Sequence, residues 1–232
     1  MRKQVIGVVL VILFFANLGN IVIWHIKDEN YVYNKNINSV VELKASYGIL
    51  EATGTGVVVT NDGMILTNYH VVTYRESNET YVYDNIEVRL PTQDDYYQAE
   101  VVKTDFENDM ALLQIIDYDK TYGFEKIIFG NSDSVKTGDL CYALGNVGGI
   151  SILFSKGMIS NKSISIKMND AENSYIQSNI DISKGSSGDA LLNEYGNLIG
   201  LTTLRLKDAS GNTILGFVYS IKLEDIIVFI NE

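Results

Sequence analysis

The sequence predicts an all-β fold, either a sandwich or a pair of barrels, and three observations carry this prediction. Short apolar or alternating runs recur along the chain, turn residues separate these runs, and a helical pattern is seen only near the carboxyl end. The chain has 232 residues, of which 46% are hydrophobic, so it has enough apolar material for one sizeable domain or two small packed lobes.

The first predicted strands lie in the amino-terminal half of the chain. Residues Ser39–Tyr47 alternate between apolar and polar in the manner of a strand. The runs VVVT and MILTNYHVV flank the turn Asn61–Gly63, which predicts two strands joined by an Asp-Gly hairpin. Further strands are predicted at Tyr81–Tyr83, Ile86–Leu90, Tyr97–Val102, Met110–Ile116, Leu140–Leu144, Ile150–Phe154, Ile164–Met168 and Gly216–Ile221.

A short C-terminal helix is predicted after the last strand. One helical face would carry the apolar residues Leu223, Ile226, Ile227 and Ile230. Ser220 lies close enough to serve as its N-terminal cap.

Residues 1–26 have the features of a membrane anchor. Arg2 and Lys3 precede the run Val5–Trp24, which is apolar except for two asparagines. About twenty residues at about 1.5 Å each reach about 30 Å, enough to cross the hydrocarbon layer of a bilayer. A cleavable signal peptide is the alternative, but no small-x-small cleavage site follows the run. We therefore expect an uncleaved, single-pass transmembrane helix, with the rest of the chain on the extracytoplasmic side because positive charge precedes the helix.

The segment after this run is polar and rich in asparagine. We interpret residues 27–38 as a juxtamembrane linker without a fold of its own. The folded domain is then expected to span residues 39–232.

Composition excludes several classes of function. The formal net charge is -11, and no Lys/Arg cluster offsets it, which argues against a nucleic-acid partner. Cys141 is the only cysteine, so no internal disulfide can form; we expect it to be a buried small hydrophobe. One Cys and two His leave no Cys/His zinc site, and neither a phosphate-binding loop nor a calcium loop is found. We therefore expect no metal and no cofactor.

A candidate nucleophile lies in the turn Gly185–Gly188, which separates a strand-like segment from an apolar run. The hydroxyl of Ser187 would be exposed on this turn. Because glycine lets the backbone turn, the N–H groups of Gly185 and Ser187 could point at one site, as an oxyanion hole requires. An ordinary hairpin turn is the alternative for such a Gly-Ser segment.

A serine nucleophile needs a base, usually a histidine that a carboxylate holds in one tautomer. His25 lies at the predicted membrane edge, so His70 is the candidate base; its alternative is a partly buried histidine without a catalytic role. Asp109 is the candidate carboxylate because it directly precedes a strongly apolar strand, where burial would be costly without hydrogen-bond donors. A cap of a helix or strand is the alternative for Asp109.

The order His70, Asp109, Ser187 occurs within a series of longer motifs. These are GTGVVVTNDGMILTNYHVV, NDMALLQI, GDLCYALGN, KGMIS and IQSNIDISKGSSGDALLNEYGNLIGL, and they run from about Val40 to Ile221. In content and order they resemble the trypsin-fold serine proteases of the HtrA/DegP type. The resemblance covers nearly the whole chain after the apolar amino-terminal run.

The resemblance implies two six-stranded antiparallel β-barrels of the chymotrypsin/trypsin type with an active site in the cleft between them. It implies a serine endopeptidase whose triad is His70, Asp109 and Ser187, acting on unfolded or damaged extracytoplasmic polypeptides. Relatives are commonly homotrimers, so a homo-oligomer is expected. Because the sequence ends about ten residues after Ile221, we expect the protease domain alone, without a PDZ domain.

Three residues around the nucleophile differ from the pattern of the family or bear on specificity. Asp189 replaces a glycine that is usual two residues after the nucleophile; we expect its side chain to face solvent or to accept a local backbone hydrogen bond. The alternative is that its charge distorts the turn or repels a substrate. Ser186 stands where asparagine is common, and we treat it as structural. Asp181 lies six residues before Ser187, a position that is acidic in trypsin-like members that select Lys or Arg; a loop aspartate outside the pocket is the alternative.

Two rival functions follow from other readings of the same residues. Asp189 beside the nucleophile raises the alternative of a catalytically impaired relative that acts as a membrane-tethered binding module or chaperone. The anchor and Lys184 raise a Ser-Lys membrane peptidase, but that function would leave the motifs around His70 and Asp109 without a purpose.

Overall fold

The computed structural model describes residues 28–116, 118, 123–168, 171–180, 186–204 and 216–232. Within these residues the strands close into two antiparallel barrels of six strands each, together with a separate two-stranded hairpin. The predicted pair of six-stranded barrels with a short C-terminal helix is confirmed. The predicted membrane anchor, residues 1–26, lies outside the described residues. Across the described ranges, no helix has both the length and the apolar character needed to cross a membrane.

The first barrel and its hairpin account for the strands of the amino-terminal half. The strands are β1 (Val40–Tyr47), β2 (Leu50–Val58), β3 (Met64–Thr67), β4 (Thr73–Glu76), β5 (Glu79–Val82), β6 (Asn85–Arg89), β7 (Tyr96–Asp105) and β8 (Met110–Ile115). The barrel order is β1-β2-β3-β8-β7-β6, and β4 pairs only with β5 among the described strands. The predicted hairpin at Asn61–Gly63 joins β2 to β3, with Val58 opposite Ile65.

The second barrel is formed by the carboxyl-terminal half. Its strands are β9 (Leu140–Val147), β10 (Ser151–Met168), β11 (Ala171–Ser178), β12 (Ala190–Asn193), β13 (Leu198–Leu204) and β14 (Val218–Lys222), in the order β10-β11-β14-β13-β12-β9. Cys141 lies fully buried among its apolar side chains, as predicted. This burial raises the pKa of the thiol to about 12.

The prediction of separate strands at Ile150–Phe154 and Ile164–Met168 was wrong, because residues 151–154 and Ile164–Met168 belong to one strand, β10. The first half of this strand pairs with β9, and the second half pairs with β11. The register shifts on either side of Asn161, which is typical of bulges. A bulge lets one long strand bend around a barrel, so the polar residues between the two apolar runs do not mark a turn.

The strands where the barrels meet are apolar on both faces. In β2, Val57 contributes to a cluster shared by the two barrels, whereas Val58 points into the first barrel. In β8, Leu112 likewise contributes to the shared cluster and Leu113 points into the first barrel. Successive side chains of a strand point to opposite faces, so a continuous apolar run fits a strand covered on both sides. We call the shared cluster the seam; it also includes Leu144 from the second barrel.

The expectation that residues 27–38 have no fold of their own was wrong for the described part of that segment. Helix α1 spans Glu29–Asn36, and Asp28 caps it by accepting the N–H of Tyr31 at 2.9 Å. Val32 is fully buried in the seam cluster, and Lys35 donates to the carbonyl of Tyr195 at 2.8 Å. The polar composition concealed this helix because a single buried valine and side-chain bonds to the second barrel hold it, rather than a broad apolar face.

The predicted C-terminal helix is present as α2, which spans Leu223–Asn231. Its buried side chains are Leu223, Ile226 and Phe229. Ser220 is not its cap: that serine lies within β14, and the N-cap position is Lys222, whose side chain makes no capping bond. Lys103 of β7 donates to the carbonyl of Phe229 at 2.7 Å, so α2 ties the end of the chain to the first barrel.

Replacing Val32 by alanine should lower the free energy of unfolding by about 1 to 3 kcal/mol, because two buried methyl groups are lost from the seam. Asn34→Ala, at an exposed position of the same helix, should change it by less than about 0.5 kcal/mol. Urea unfolding of both variants measures the difference. Equal stabilities would show that α1 does not contribute to the packed core.

Candidate active site

Three polar side chains from distant parts of the chain meet at the edge of the seam. His70 lies in a short 3-10 turn, Tyr69–Val71, that follows β3. Asp109 directly precedes β8, and Ser187 lies in the turn that leads into β12. His70 Nε2 is 2.7 Å from Ser187 Oγ, and His70 Nδ1 is 2.8 Å from Asp109 Oδ2. The fold therefore brings together the three residues that the sequence predicts as a triad.

The carboxylate of Asp109 is buried and has several hydrogen-bond donors. Its Oδ1 accepts the backbone N–H of His70 at 3.1 Å, in addition to the contact with the imidazole. The hydroxyl of Thr203 donates to Oδ2. Because ionised carboxylates are costly to bury without donors, these bonds explain how Asp109 is accommodated before an apolar strand. The same bonds leave Nδ1 of His70 facing an acceptor, which favours a proton on Nδ1 and a free lone pair on Nε2 toward Ser187.

The backbone at Asp109 is unusual. Its φ is +56°, in the left-handed region that non-glycine residues rarely adopt. Asn68 donates from its side-chain amide to the Asp109 carbonyl at 2.9 Å. Asp105 accepts the backbone N–H of Asn108 at 3.0 Å and closes the preceding turn. These bonds hold the carboxylate toward His70.

The turn around Ser187 lies against the first barrel. Gly188 has a φ of +85°, and a Cβ added there would lie 2.0 Å from the carbonyl oxygen of Thr55, so only glycine fits. The N–H of Gly188 donates to the backbone carbonyl of Thr202 at 2.9 Å, and the N–H of Thr55 donates to the carbonyl of Ser187 at 2.9 Å. The nucleophile turn is thus bonded to both barrels at once.

Some predicted site residues lie outside the described residues. These are Gly185 of the predicted oxyanion hole, Asp181 of the predicted specificity pocket, and Lys184 of the rival Ser-Lys site. Ser186, which we treated as structural, is 3% exposed.

One of the two environments predicted for Asp189, exposure to solvent, was wrong. Its side chain does not face solvent, since the residue is 1% exposed. The carboxylate Oδ1 accepts the side-chain hydroxyl of Thr55, on the first barrel, at 2.6 Å. The bond crosses the seam, so local sequence around the nucleophile turn could not predict it.

Thr55 and Thr203 are contributors to the site that the sequence analysis missed. Each is a buried threonine in a strand with many apolar neighbours, Thr55 in β2 and Thr203 in β13. A buried hydroxyl in such a strand needs a partner, which is the only local signal that these residues offered.

Comparison with known proteins now places the chain in a family. The family model for the trypsin-like peptidase domain matches residues 54–201, which include His70, Asp109 and Ser187. The chain belongs to the trypsin-like peptidase family. It is homologous to HtrA/DegP serine proteases, as the resemblance implied.

Individual relatives of this trypsin-like peptidase agree with that assignment. The chain is 36% identical over 159 residues, 66% of its length, to the magnetosome formation protease MamE of Paramagnetospirillum magneticum. It is 32% identical over 169 residues, 72% of its length, to the periplasmic pH-dependent serine endoprotease DegQ of Escherichia coli. These matches span only 20% of MamE and 34% of DegQ.

The fold is similar to solved structures of HtrA-type proteases. A structure of the HtrA-type protease AlgW with a tripeptide superposes with a TM-score of 0.73 at 28% identity. The superposition covers 86% of this chain and 61% of the AlgW chain. The similarity therefore extends over both barrels.

Replacing Thr203 by valine should lower the free energy of unfolding at neutral pH by about 1 to 3 kcal/mol, because the buried carboxylate of Asp109 loses a donor. Thr202→Val is the matched control, since among the side chains described the Thr202 hydroxyl is hydrogen-bonded to another hydroxyl, Ser220 Oγ, at 3.3 Å, and not to a carboxylate. Urea unfolding of both variants is the measurement. A Thr203→Val protein no less stable than Thr202→Val would contradict a stabilising role for this bond.

Proposed function

We propose that this chain is a serine endopeptidase that hydrolyses peptide bonds through an acyl-enzyme, with His70, Asp109 and Ser187 as its catalytic residues. The observation that carries the proposal is the 2.7 Å contact between His70 Nε2 and Ser187 Oγ, two atoms supplied by different barrels. Membership of the trypsin-like peptidase family supports the same reaction.

The chemistry of the proposed reaction follows from the two partners of the imidazole: Asp109 accepts a hydrogen bond from Nδ1, and the hydroxyl of Ser187 donates to Nε2. Ser187 Oγ attacks the carbonyl carbon of the substrate while His70 Nε2 takes the hydroxyl proton. Asp109 holds the imidazole through Nδ1 and stabilises the imidazolium that forms. The proton then passes to the leaving amine, the C–N bond breaks, and water releases the acyl group by the same route.

The developing negative charge on the substrate oxygen requires hydrogen-bond donors. We propose that these are the backbone N–H groups of Gly185 and Ser187, as the sequence predicts. Donors held in place before reaction stabilise the oxyanion without reorganisation, and one such donor typically contributes about 10² to 10³ in rate. The bonds from Gly188 to Thr202 and from Thr55 to the Ser187 carbonyl support this role, because they hold the turn that carries the Ser187 N–H.

The proposed substrates are unfolded or damaged extracytoplasmic polypeptides. The relative DegQ is described as periplasmic, which supports a position outside the cytoplasm. We propose that the apolar run Val5–Trp24 anchors the chain as a single-pass helix and that the domain assembles as a homo-oligomer, a trimer. The acidic net charge of -11 favours neutral or basic substrate segments over acidic ones.

The two rival functions are less well supported. A binding module without activity would require Asp189 to disturb the nucleophile turn, but its carboxylate is bonded to Thr55, and the contact between His70 and Ser187 is intact. A Ser-Lys peptidase would not use the imidazole that lies within hydrogen-bond distance of Ser187.

A fluorophosphonate probe should label the wild type and should fail to label Ser187→Ala. Peptide hydrolysis in Ser187→Ala should fall by about six orders of magnitude, the scale seen when a serine protease loses its nucleophile. His70→Ala and Asp109→Ala should also lose most labelling, because the hydroxyl is then not activated.

Ser151→Ala, at an exposed serine of β10, is the control and should be labelled like the wild type. Labelling that persists in Ser187→Ala would rule out this serine as the nucleophile. Labelling that persists in His70→Ala would favour the Ser-Lys alternative.

Substrate selection tests the proposed role of Asp181. If Asp181 lines the specificity pocket, peptides with Lys or Arg before the scissile bond should be cleaved at least about tenfold faster than peptides with Val or Ala, because one charge-assisted bond is worth about that factor. Asp181→Asn should then reduce this preference. A panel of peptides that differ only at this residue measures the ratio, and equal rates would remove Asp181 from the pocket.

A further inference from the structure

Asp189 is a buried carboxylate at the point where the nucleophile turn crosses the seam. It lies two residues after Ser187 and directly before β12, and it is 1% exposed. Its backbone belongs to the turn, since the Asp189 N–H donates to Ser186 at 3.3 Å and its carbonyl accepts the N–H of Thr202 at 2.9 Å. The backbone of Asp189 is therefore held by the second barrel, whereas its side chain is bonded to the first.

Thr55 connects this carboxylate to the nucleophile. Its side-chain hydroxyl donates to Asp189 Oδ1 at 2.6 Å, and its backbone N–H donates to the carbonyl of Ser187 at 2.9 Å. Its own carbonyl accepts the hydroxyl of Thr67 at 2.7 Å. Thr55 of β2 therefore makes two hydrogen bonds to the nucleophile turn, one from its backbone N–H and one from its side-chain hydroxyl.

The direction of the hydroxyl bond follows from a third contact. The backbone N–H of Asn146, in β9, donates to Thr55 Oγ1 at 2.7 Å. This bond occupies a lone pair of the hydroxyl, so the single hydroxyl proton is free to point at Asp189. Hydrogen bonds in such a chain polarise one another, and a charged acceptor at the end makes them stronger.

The residue opposite Asp189 on the neighbouring strand is a glycine, which leaves space for the carboxylate. Ala190 pairs with Leu144, so the next position of the ladder places Gly145 opposite Asp189. A Cβ at Gly145 would lie 1.7 Å from Asp189 Oδ1. The carboxylate therefore occupies the space that a side chain at position 145 would fill.

We propose that Asp189 is a positioning residue for Ser187: through the Thr55 hydroxyl, its carboxylate holds the nucleophile turn of the second barrel against β2 of the first. This inference rests on the proposed function. A turn held from both barrels keeps Ser187 Oγ at its 2.7 Å distance from His70 Nε2. A displacement of about 1 Å between reacting groups can reduce a rate by about 10².

The test compares Asp189→Ala with Asp189→Asn, which keeps an acceptor oxygen. In Asp189→Ala, kcat should fall by about 10- to 100-fold, the scale of one hydrogen bond to a charged group, while KM changes by less than about twofold. Thr55→Val should show the same split. Thr55→Ser should lose less than about threefold in kcat, because the bond can still form. Asp189→Asn should retain more kcat than Asp189→Ala, because it keeps an acceptor oxygen although the charge is lost.

Thr53→Val is the matched control on the same strand, at an exposed position, and it should retain the kcat of the wild type. Amide hydrogen exchange at Thr55 provides a readout that does not require activity. Exchange should be faster in Asp189→Ala than in the wild type, because the N–H of Thr55 then holds the Ser187 carbonyl less firmly.

A wild-type kcat in Asp189→Ala would overturn the proposal. A lower kcat without faster exchange at Thr55 would also overturn it, because the effect would not pass through Thr55. If the wild type itself neither hydrolyses peptides nor reacts with the fluorophosphonate probe, the proposed function fails separately. In that case amide hydrogen exchange at Thr55 tests the positioning role of Asp189 by itself. Unchanged exchange in Asp189→Ala would overturn that role, and faster exchange would support it.

Discussion

The packing of two apolar sheet faces along the seam is the constraint on which the candidate site depends. His70 and Asp109 belong to the first barrel and Ser187 to the second, so the 2.7 Å contact between imidazole and hydroxyl exists only where the barrels meet. Apolar packing is strong but not directional, and it specifies position less sharply than hydrogen bonds do. The polar contacts at the edge of the seam therefore supply the precision that a reacting pair requires.

Thr55 illustrates how that precision is obtained. Strand β2 is bonded to the nucleophile turn through the backbone of Thr55, and to Asp189 through its hydroxyl. Gly145 and Gly188 leave the space for these approaches, because a Cβ at either position would overlap Asp189 or Thr55. The two glycines and the buried aspartate therefore act together: the glycines leave room at the contact between the barrels, and the carboxylate of Asp189 fills part of that room and bonds to Thr55.

Much of the fold could be predicted from local patterns. The Asp-Gly hairpin between β2 and β3 and the helix α2 were predicted because turn chemistry and periodicity act over a few residues. Helix α1 and the continuity of β10 were not predicted, because one depends on Val32 entering a distant core and the other on a bulge at Asn161. Neither cause is visible in a short window of sequence.

The sequence by itself determined the candidate nucleophile, base and carboxylate, since a recognisable motif surrounds each of His70, Asp109 and Ser187. Only the tertiary structure decided where Asp189 points and which hydroxyl meets Asp109. The physical reason is that the bonded residues are far apart in the sequence. Thr55 and Asp189 are separated by 134 positions, and Asp109 and Thr203 by 94. The conformation of each turn depends on residues that are close in sequence, and local patterns therefore predict it. The hydrogen-bond partner of a buried polar group depends instead on how one barrel packs on the other.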